Sequence, residues 1–312
     1  MTQQKHWSLK VLRTILVLLF AAVVIAGSLY ADEVITLFRQ NHQTISGIPL
    51  TELKKTTSQV PHEIWQNATP PQGLGSGGSA GVTSQPTTCG AGSTGGFADS
   101  ANIRQESINW AGYIATGGNY TAVSGAWTIP SFSGNVGNVD ATWVGIGGSA
   151  NNQQDLIQMG TENQVLANGR KVSLLFYEAL PEEAQIVSSV AVNPGDTVST
   201  SIVETSTNLW TLTFVDQTNG GHFTTTVSYQ SQNNSAEWIE EDPLDANSRS
   251  LIPITCFGAV QFSGASATVN GSSRNLSALG AQAIEMTDTS YDSILAIPSG
   301  VVGGGSFRVR QL

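Results

Sequence analysis

The stretch Ser235-Ala-Glu-Trp-Ile-Glu-Glu-Asp-Pro243 combines a strand pattern with a high density of acidic side chains. The aromatic and β-branched residues at its centre favour β-structure, and the closing proline is a residue that ends strands. Side chains of a strand alternate between two faces, so Glu237, Ile239 and Glu241 share one face. The stretch therefore predicts a strand that presents two glutamates on the same side.

The same stretch is unusual in its charge. Glu237, Glu240, Glu241 and Asp242 fall within six residues, in a chain of which only 12% is charged. Mutual repulsion and partial burial disfavour ionisation, so we expect the pKa of at least one of these carboxyls to be raised. Such a group suits acid–base hydrolysis. A solvated acidic strand end or a cation-binding loop remains an open alternative.

Beyond residue 98 the sequence favours β-structure throughout. Apolar residues show no helical period there, and short strand patterns alternate with turn residues. Asn219-Gly220-Gly221 is typical of a hairpin turn. We expect an all-β fold, an antiparallel β-sandwich of two stacked sheets with a concave, lectin-like (concanavalin A-like) face. The expected strands are 108–114, 122–128, 141–146, 155–161, 171–179, 186–192, 197–202, 209–216, 224–229, 236–241, 259–262, 267–269, 284–288 and 306–310.

The first 31 residues have the pattern of an export signal. Lys5, Lys10 and Arg13 precede an uncharged apolar run at 15–31, which ends at Asp32 and Glu33. The run is long for a cleaved signal peptide, so an uncleaved signal anchor in a membrane remains open. In either case we expect the body of the protein to be secreted or extracellular.

Residues 32–97 separate this signal from the β-rich body. Nine glycines and no charged residue lie in 72–97, a composition that cannot bury enough apolar surface to fold alone. We interpret 32–97 as a pro-segment followed by a Gly/Ser-rich linker, with a plain spacer as the alternative. Domain boundaries are thus expected at 1–31, 32–97 and 98–312.

The body is strongly acidic, and this restricts its partners. Residues 98–312 contain seven Lys and Arg against 19 Asp and Glu, whereas residues 1–97 carry a small positive excess. An acidic body repels nucleic acid and anionic lipid, so neither is expected as a partner. We expect a monomer. An acidic surface also suits a protein that works at low pH.

The chain contains only two cysteines, Cys89 and Cys256. In an exported protein an even pair suggests one disulfide, which would tie the Gly-rich linker to the body. Two unpaired buried thiols are the alternative.

Most catalytic machineries are excluded by the residues that the body lacks. His222 is the only histidine after His62, which excludes a histidine-clustered zinc site and disfavours a Ser-His-Asp triad. No phosphate-binding or dinucleotide motif is present, so we expect no cofactor and no metal. A hydrolase built from the remaining acidic and amide residues needs a carboxylate base and an uncharged oxyanion donor. Gln158 is a candidate donor, because alternation places it opposite Ile157 and Met159; a glutamine that is simply exposed to solvent is the alternative.

Eight sequence pieces together resemble one known family. They cover nearly all of 107–312 and occur in the family's order: Asn109-Trp-Ala-Gly112, Ser124-Gly-Ala-Trp-Thr-Ile-Pro130, Trp143-Val-Gly-Ile146, Leu156-Ile-Gln-Met-Gly160, Tyr177-Glu178 with Pro181, Val192-Asn-Pro-Gly-Asp196, Glu237-Trp-Ile-Glu-Glu-Asp242 and Ser306-Phe-Arg-Val309. The body is similar to the glutamic peptidases, or eqolisins, which are acid endopeptidases. The resemblance implies a β-sandwich with a catalytic glutamine–glutamate pair on its concave face.

The resemblance also implies roles for single residues. The family glutamine falls on Gln158 and the family glutamate is assigned to Glu241, with Glu237 as a supporting carboxylate. The implied reaction is peptide hydrolysis through an activated water, without metal or covalent intermediate. The residues expected around the substrate are Trp110, Trp143, Glu178 and Glu162.

Three positions depart from the family pattern. Gly147 replaces an aspartate, Leu180 replaces a tyrosine, and Glu162 replaces an aspartate. These changes bear on substrate preference and pH optimum. Two other functions remain open for a concave β-sandwich with tryptophans and carboxylates: a glycoside hydrolase that uses Glu241 with Glu178 or Glu162, and a lectin-like binding module.

Overall fold

The computed structural model divides the chain into two compact units, residues 1–50 and residues 51–312. It describes residues 44–45, 48–49, 52–57, 66–67, 89, 101, 103–148 and 155–312. The expected signal at 1–31 and most of the expected pro-segment and linker lie outside these residues. Among the residues described, no helix is long and apolar enough to cross a membrane. In the first unit, β1 (Thr44–Ile45) pairs antiparallel with β2 (Ile48–Pro49).

The second unit consists almost entirely of strands. In chain order they are β3 (Thr56–Thr57), β4 (Gln66–Asn67), β5 (Ile103–Ser107), β6 (Trp110–Thr116), β7 (Tyr120–Thr128), β8 (Val139–Gly147), β9 (Leu156–Val165), β10 (Lys171–Ala179), β11 (Gln185–Val192), β12 (Thr197–Ser206), β13 (Leu209–Asp216), β14 (His222–Ser228), β15 (Ser235–Glu241), β16 (Leu244–Asp245), β17 (Ala259–Val269), β18 (Ser272–Asn275), β19 (Gln282–Thr287), β20 (Ile294–Pro298) and β21 (Phe307–Gln311). One short helix, α1 (Leu276–Leu279), lies between β18 and β19.

The long strands form two sheets whose edges are joined. The first sheet has the order β11-β10-β9-β8-β15-β6-β19-β5, and the second has the order β14-β13-β12-β7-β17-β21. Strand β20 pairs with both β19 and β21 and so connects the sheets almost into a barrel. Except for the parallel pair β5–β19, these pairings are antiparallel. The expected all-β antiparallel sandwich is confirmed.

The core lies between the two sheets and is rich in aromatic side chains. Trp238, Val144 and Met159 of the first sheet share one buried cluster with Trp127 and Phe262 of the second. All five are at most 1% exposed. Because strand side chains alternate, the residues between these core positions point to the other face of the first sheet. That other face is the one that carries the candidate site.

The strand predictions agree best where strong alternation is bounded by turn residues. Strands 171–179 and 209–216 have the predicted bounds, and the Asn219-Gly220-Gly221 turn joins β13 to β14 as predicted. Strands β5, β18 and β20 were not predicted. The predicted strands 259–262 and 267–269 are one strand, β17, because a bulge between Ser263 and Ser266 interrupts its pairing with β7 and conceals its continuity in the sequence.

The two cysteines form a disulfide, Cys89–Cys256. Cys256 also forms an isolated β-bridge with Ser133, so the bond is attached to the folded body at that end. The two cysteines that it joins are 167 positions apart in the sequence. It fixes the linker residue Cys89 to the sandwich.

Candidate active site

The acidic and amide residues of the first sheet are arranged in cross-strand rows. Residues that pair directly across neighbouring strands point to the same face. Glu237 on β15 pairs with Gly145 on β8, Gly145 pairs with Gln158 on β9, and Gln158 pairs with Glu178 on β10. One row therefore contains two carboxyls and one amide, with a glycine between Glu237 and Gln158.

A second row lies farther along the same strands. Glu241 pairs with Ala141, and Ala141 pairs with Glu162. Glu241 lies four residues from Glu237 on β15, and Glu162 lies four residues from Gln158 on β9. Four residues span about 13 Å along a strand. Ile239, Trp143 and Gly160 form the row between the two. The face therefore carries two polar groups separated by an apolar row.

In the first row, the Gln158 amide has a defined hydrogen bond. Its Nε2 donates to Glu178 Oε2 at 2.6 Å. Both side chains are at most 1% exposed. This bond fixes the orientation of the amide.

Glu237 is the other polar side chain of the first row. It is fully buried, and neither of its carboxyl oxygens has a hydrogen-bond partner among the described residues. Burial raises the pKa of Glu237 well above its ordinary value; the nearby Ser235 side chain opposes this shift, and the charge of Asp155 adds to it. Glu237 is therefore protonated in this form of the chain at acidic pH.

The glycine between Glu237 and Gln158 is required by its surroundings. A Cβ at Gly145 would lie 2.9 Å from side-chain atoms of Leu156 and Trp143, closer than real Cβ contacts allow. The row therefore keeps no side chain at this position. Side-chain atoms of Leu156 and Trp143 cover Gly145, and the register places Glu237 and Gln158 on either side of it.

Glu241 has a different environment, because both of its oxygens are held by side-chain donors. Trp110 Nε1 and Asn109 Nδ2 donate to Oε1 at 3.0 and 3.3 Å, and Trp143 Nε1 donates to Oε2 at 2.7 Å. The two indoles pack edge to face with centroids 5.0 Å apart. Three donors on one carboxyl group fix its position.

The strand register does not bring Gln158 and Glu241 together. They lie two strands apart, which is about 10 Å, and about 13 Å apart along the strands. One water molecule cannot bridge such a separation. The predicted pairing of Gln158 with Glu241 is therefore incompatible with the register, which instead places Gln158 opposite Glu237. Face alternation alone could not reveal this, because Glu237 and Glu241 share a face.

Glu162 lies next to a part of the expected pro-segment. Thr56 Oγ1 donates to Glu162 Oε2, and Gln164 Nε2 donates to Glu162 Oε1. Gln164 in turn holds the main chain of Lys54, since Lys54 N donates to Gln164 Oε1 at 2.9 Å and Gln164 Nε2 donates to Lys54 O at 2.9 Å. Burial raises the pKa of Glu162 to about 7 against the opposing effect of these bonds. Sequence reasoning missed both Thr56 and Gln164.

Behind this face, in the interior of the sandwich, lies a third polar group. Asp140 accepts hydrogen bonds from Thr255 Oγ1 and from Asn163 Nδ2, the latter at 2.8 Å, and Glu240 accepts from Thr142 Oγ1 at 2.6 Å. Burial raises the pKa of Asp140 to about 6 despite the lowering effect of its hydrogen bonds.

The acidic stretch at 237–242 behaves as its composition predicted. Burial also raises the pKa of Glu240 and of Asp242 well above their ordinary values, and neighbouring carboxylates add to both shifts. The predicted rise in at least one pKa of this stretch is confirmed.

Two of the departures from the family pattern have structural reasons. Gly147 has φ +90°, and a Cβ there would lie 1.9 Å from the carbonyl oxygen of Asp155. An aspartate does not fit at this position in the present backbone. Leu180 is buried and packs with Phe176 and Leu156 in the apolar cluster that borders the site.

The candidate site is closed to solvent in this form of the chain. Gln158, Glu241, Trp110, Trp143, Glu178 and Glu162 are each at most 1% exposed. The structure gives Trp110 and Trp143 a contact that sequence reasoning did not predict, since both hold Glu241 in place. The predicted roles of Trp110, Trp143, Glu178 and Glu162 in substrate binding stay predictions.

Fold and site together define a β-sandwich protein with a row of carboxyl and amide side chains buried on one sheet face. The model of the Peptidase A4 family matches residues 108–307, which include both rows. The chain therefore belongs to the Peptidase A4 family. This confirms the resemblance to the glutamic peptidases, or eqolisins.

Individual relatives agree with this assignment. The chain is 30% identical over 190 residues to aspergillopepsin-2 of Aspergillus niger, and 29% identical over 177 residues to scytalidopepsin B of Scytalidium lignicola. These matches span 53% and 54% of the chain and 66% of the length of each relative. The crystal structure of scytalido-glutamic peptidase with a peptide-based transition-state analogue matches with 25% identity and a TM-score of 0.56. That match covers 66% of this chain and 98% of the solved one.

Proposed function

We propose that this protein is an acid endopeptidase in which Gln158 and Glu237 act together on the peptide bond. Two observations support the proposal: the family of the chain, and the row in which Glu237 faces Gln158 across Gly145. The relatives named above carry the names of peptidases, and one was solved with a peptide-based transition-state analogue. Polypeptides are thus the substrate class.

The reaction follows from the chemistry of one carboxylate and one amide. Ionised Glu237 takes a proton from a water molecule, and the resulting hydroxide attacks the scissile carbonyl carbon. The Gln158 side-chain amide, which Glu178 holds in place, donates an N–H to the oxyanion of the tetrahedral intermediate. Protonated Glu237 then gives its proton to the leaving nitrogen, and the C–N bond breaks. An amide suits its role because it does not titrate.

The buried state of Glu237 supports a requirement for opening. A general base must be ionised, whereas burial keeps Glu237 protonated in the closed chain. Contact with water lowers the pKa of a buried carboxyl towards its ordinary value of about 4.3. Exposure of the row therefore admits substrate and raises the ionised fraction of the base in the same step.

The proposal extends to the location of the protein. An apolar run follows a basic start at residues 1–31, and the body carries a disulfide, which persists in oxidising compartments. We therefore propose that the body acts outside the cytoplasm as a monomer, either released or held by a retained signal anchor. Cleavage of the chain between the segment 52–57 and Cys89, which releases that segment, belongs to the same proposal.

The proposed activity is tested by digestion of an acid-denatured protein at about pH 3–4, with and without pepstatin. A peptidase that uses a glutamate and an amide is expected to cleave in both conditions. Release of reducing sugar from a glycan, with no cleavage of protein, would instead support the glycoside hydrolase. Retention on a glycan column without either reaction would support a binding module. Either result would overturn the proposed function.

A further inference from the structure

The contacts of the segment 52–57 have the character of peptide recognition. Gln164 binds the N–H and the C=O of one residue, Lys54, through the two halves of its side-chain amide. Every residue except proline presents this pair of groups. The contact therefore depends on the main chain of the bound segment and not on the side chain of Lys54.

The opposite edge of the segment is held as an added strand. Thr56 and Thr57 pair antiparallel with Asp245 and Leu244, and Ala246 N donates to Lys55 O at 3.1 Å. Main-chain hydrogen bonds on both sides keep these residues extended. This is the geometry in which a sheet edge binds a peptide by strand addition.

One contact does depend on a side chain. The Thr56 hydroxyl donates to Glu162, and both residues are almost fully buried, at 4% and 1% exposure. A valine at this place would fill a similar volume and leave a buried carboxyl oxygen without its donor. A site that binds a substrate hydroxyl discriminates strongly against the analogue that lacks it.

The position of these contacts relative to the proposed catalytic pair fits one extended chain. Glu162 lies four residues from Gln158 on β9, about 13 Å along the strand. Four residues of an extended peptide span the same length. A single peptide can therefore reach the Gln158–Glu237 row and Glu162 at once.

We propose that Glu162 and Gln164 form a peptide-binding subsite of the peptidase, which residues 54–56 of the same chain occupy. The subsite takes an extended peptide with a non-proline residue at the place of Lys54 and a hydroxyl side chain two residues later. The proposal rests on the proposed function, because it assigns a substrate preference to that site. The segment 52–57 competes with substrate for as long as it stays bound.

Amide hydrogen exchange of the full chain tests the occupancy without any need for activity. We expect the Lys54 amide to be protected in the unaltered chain and to exchange at least about tenfold faster in Gln164→Leu, which removes its acceptor. Lys55→Gln is the matched control, since it removes only the exposed ion pair with Glu183. Equal protection in Gln164→Leu and the unaltered chain would overturn the proposal.

Inhibition by a free peptide tests the preference. In the full chain, Thr56→Val is expected to raise the initial rate of digestion about tenfold, because the segment binds less tightly. The hexapeptide Glu-Leu-Lys-Lys-Thr-Thr, which reproduces residues 52–57, is expected to inhibit this variant competitively. The same hexapeptide with the Thr56→Val change is expected to inhibit at least about tenfold less well.

The outcomes separate the subsite from the proposed function. Equal inhibition by the two hexapeptides, or an unchanged rate in Thr56→Val, would overturn the subsite while the peptidase activity stands. Absence of digestion by every chain would overturn the proposed function. The exchange experiment would then still decide whether Gln164 holds Lys54.

Discussion

Gln158 and Glu237 occupy the same cross-strand row, with Gly145 as the single residue between them. This relationship joins residues that lie 79 positions apart in the sequence. It depends on β8, which lies between the strands that carry the two residues. The row gives the chain an amide and a carboxyl on opposite sides of a position without a side chain.

Substitution within the two rows distinguishes the roles of their carboxyls. We expect Gln158→Ala to lower kcat by about 100- to 1000-fold, the usual effect of removing an oxyanion donor. Glu237→Gln is expected to abolish activity, because it removes the base. Glu241→Gln is the matched control and should retain activity per folded molecule. If Glu241→Gln loses activity while Glu237→Gln keeps it, Glu241 and not Glu237 is the general base.

Glu178 is expected to act by positioning the amide of Gln158. Glu178→Ala removes the acceptor at 2.6 Å from Gln158 Nε2, so the amide can rotate away from the oxyanion. We expect kcat to fall by about tenfold to 100-fold with little change in KM. The exposed substitution Glu182→Ala serves as the control. A change in KM alone would indicate that Glu178 contacts substrate instead.

The indole donors to Glu241 are expected to contribute to stability. Trp143→Phe keeps the aromatic ring and removes the donor at 2.7 Å from Glu241 Oε2, so a buried carboxylate loses a partner. We expect a loss of about 2–3 kcal/mol in the free energy of unfolding. Trp238→Phe is the control, because Trp238 donates to the neutral carbonyl of Ser124 and its loss should cost about 1 kcal/mol. Equal losses in urea titrations would show that the bond to Glu241 contributes no more than a bond to a neutral carbonyl.

Stability should be highest in acid and fall as the pH rises. Burial raises the pKa of Asp140 to about 6 and that of Glu162 to about 7, from about 4 in the unfolded chain. Between these values the folded chain binds more protons than the unfolded chain, so its stability falls with increasing pH. For Asp140 the loss is of the order of 3 kcal/mol.

Urea titrations at about pH 4 and pH 7 measure this dependence. Asp140→Asn removes one titrating group and should reduce the difference between the two values. Greater stability at the higher pH would contradict the direction of the shifts.

Gly147 is expected to tolerate no side chain. In Gly147→Asp the new Cβ would overlap the carbonyl oxygen of Asp155, and a non-glycine residue would be strained at φ +90°. We expect a loss of about 3 kcal/mol or more, measured by thermal unfolding. Gly137→Asp is the control, since Gly137 also has positive φ but no atom within 4 Å of its Cβ position. Similar losses in both variants would show that backbone strain alone is responsible.

Much of the fold could be predicted from the sequence, because alternation of apolar and polar residues reports which face of a strand is buried. Ile157 and Met159 were predicted to face the core, and both lie in it. Strands β5 and β20 lack clear alternation. These two strands form because they pair with other strands of the sandwich, and no local sequence pattern indicates that pairing.

The candidate site could be predicted only to the level of the strand face. Alternation shows that Glu237 and Glu241 lie on one face, but the choice between them depends on the register of β15 against β8. That register follows from contacts between residues that are 90 to 100 positions apart. Gln164 and Thr56 could not be found either, since a lone glutamine in a strand and a threonine in a pro-segment have no distinctive pattern.

The Cys89–Cys256 disulfide determines which chain cuts can liberate the segment 52–57. A single backbone break at any point from 90 to 255 leaves the N-terminal fragment covalently tethered to the sandwich through sulfur. A tethered fragment rebinds at a high effective concentration, so such a nick lowers occupancy of the subsite very little. Only a break between the segment and Cys89, or reduction of the disulfide in a nicked chain, lets residues 54–56 diffuse away.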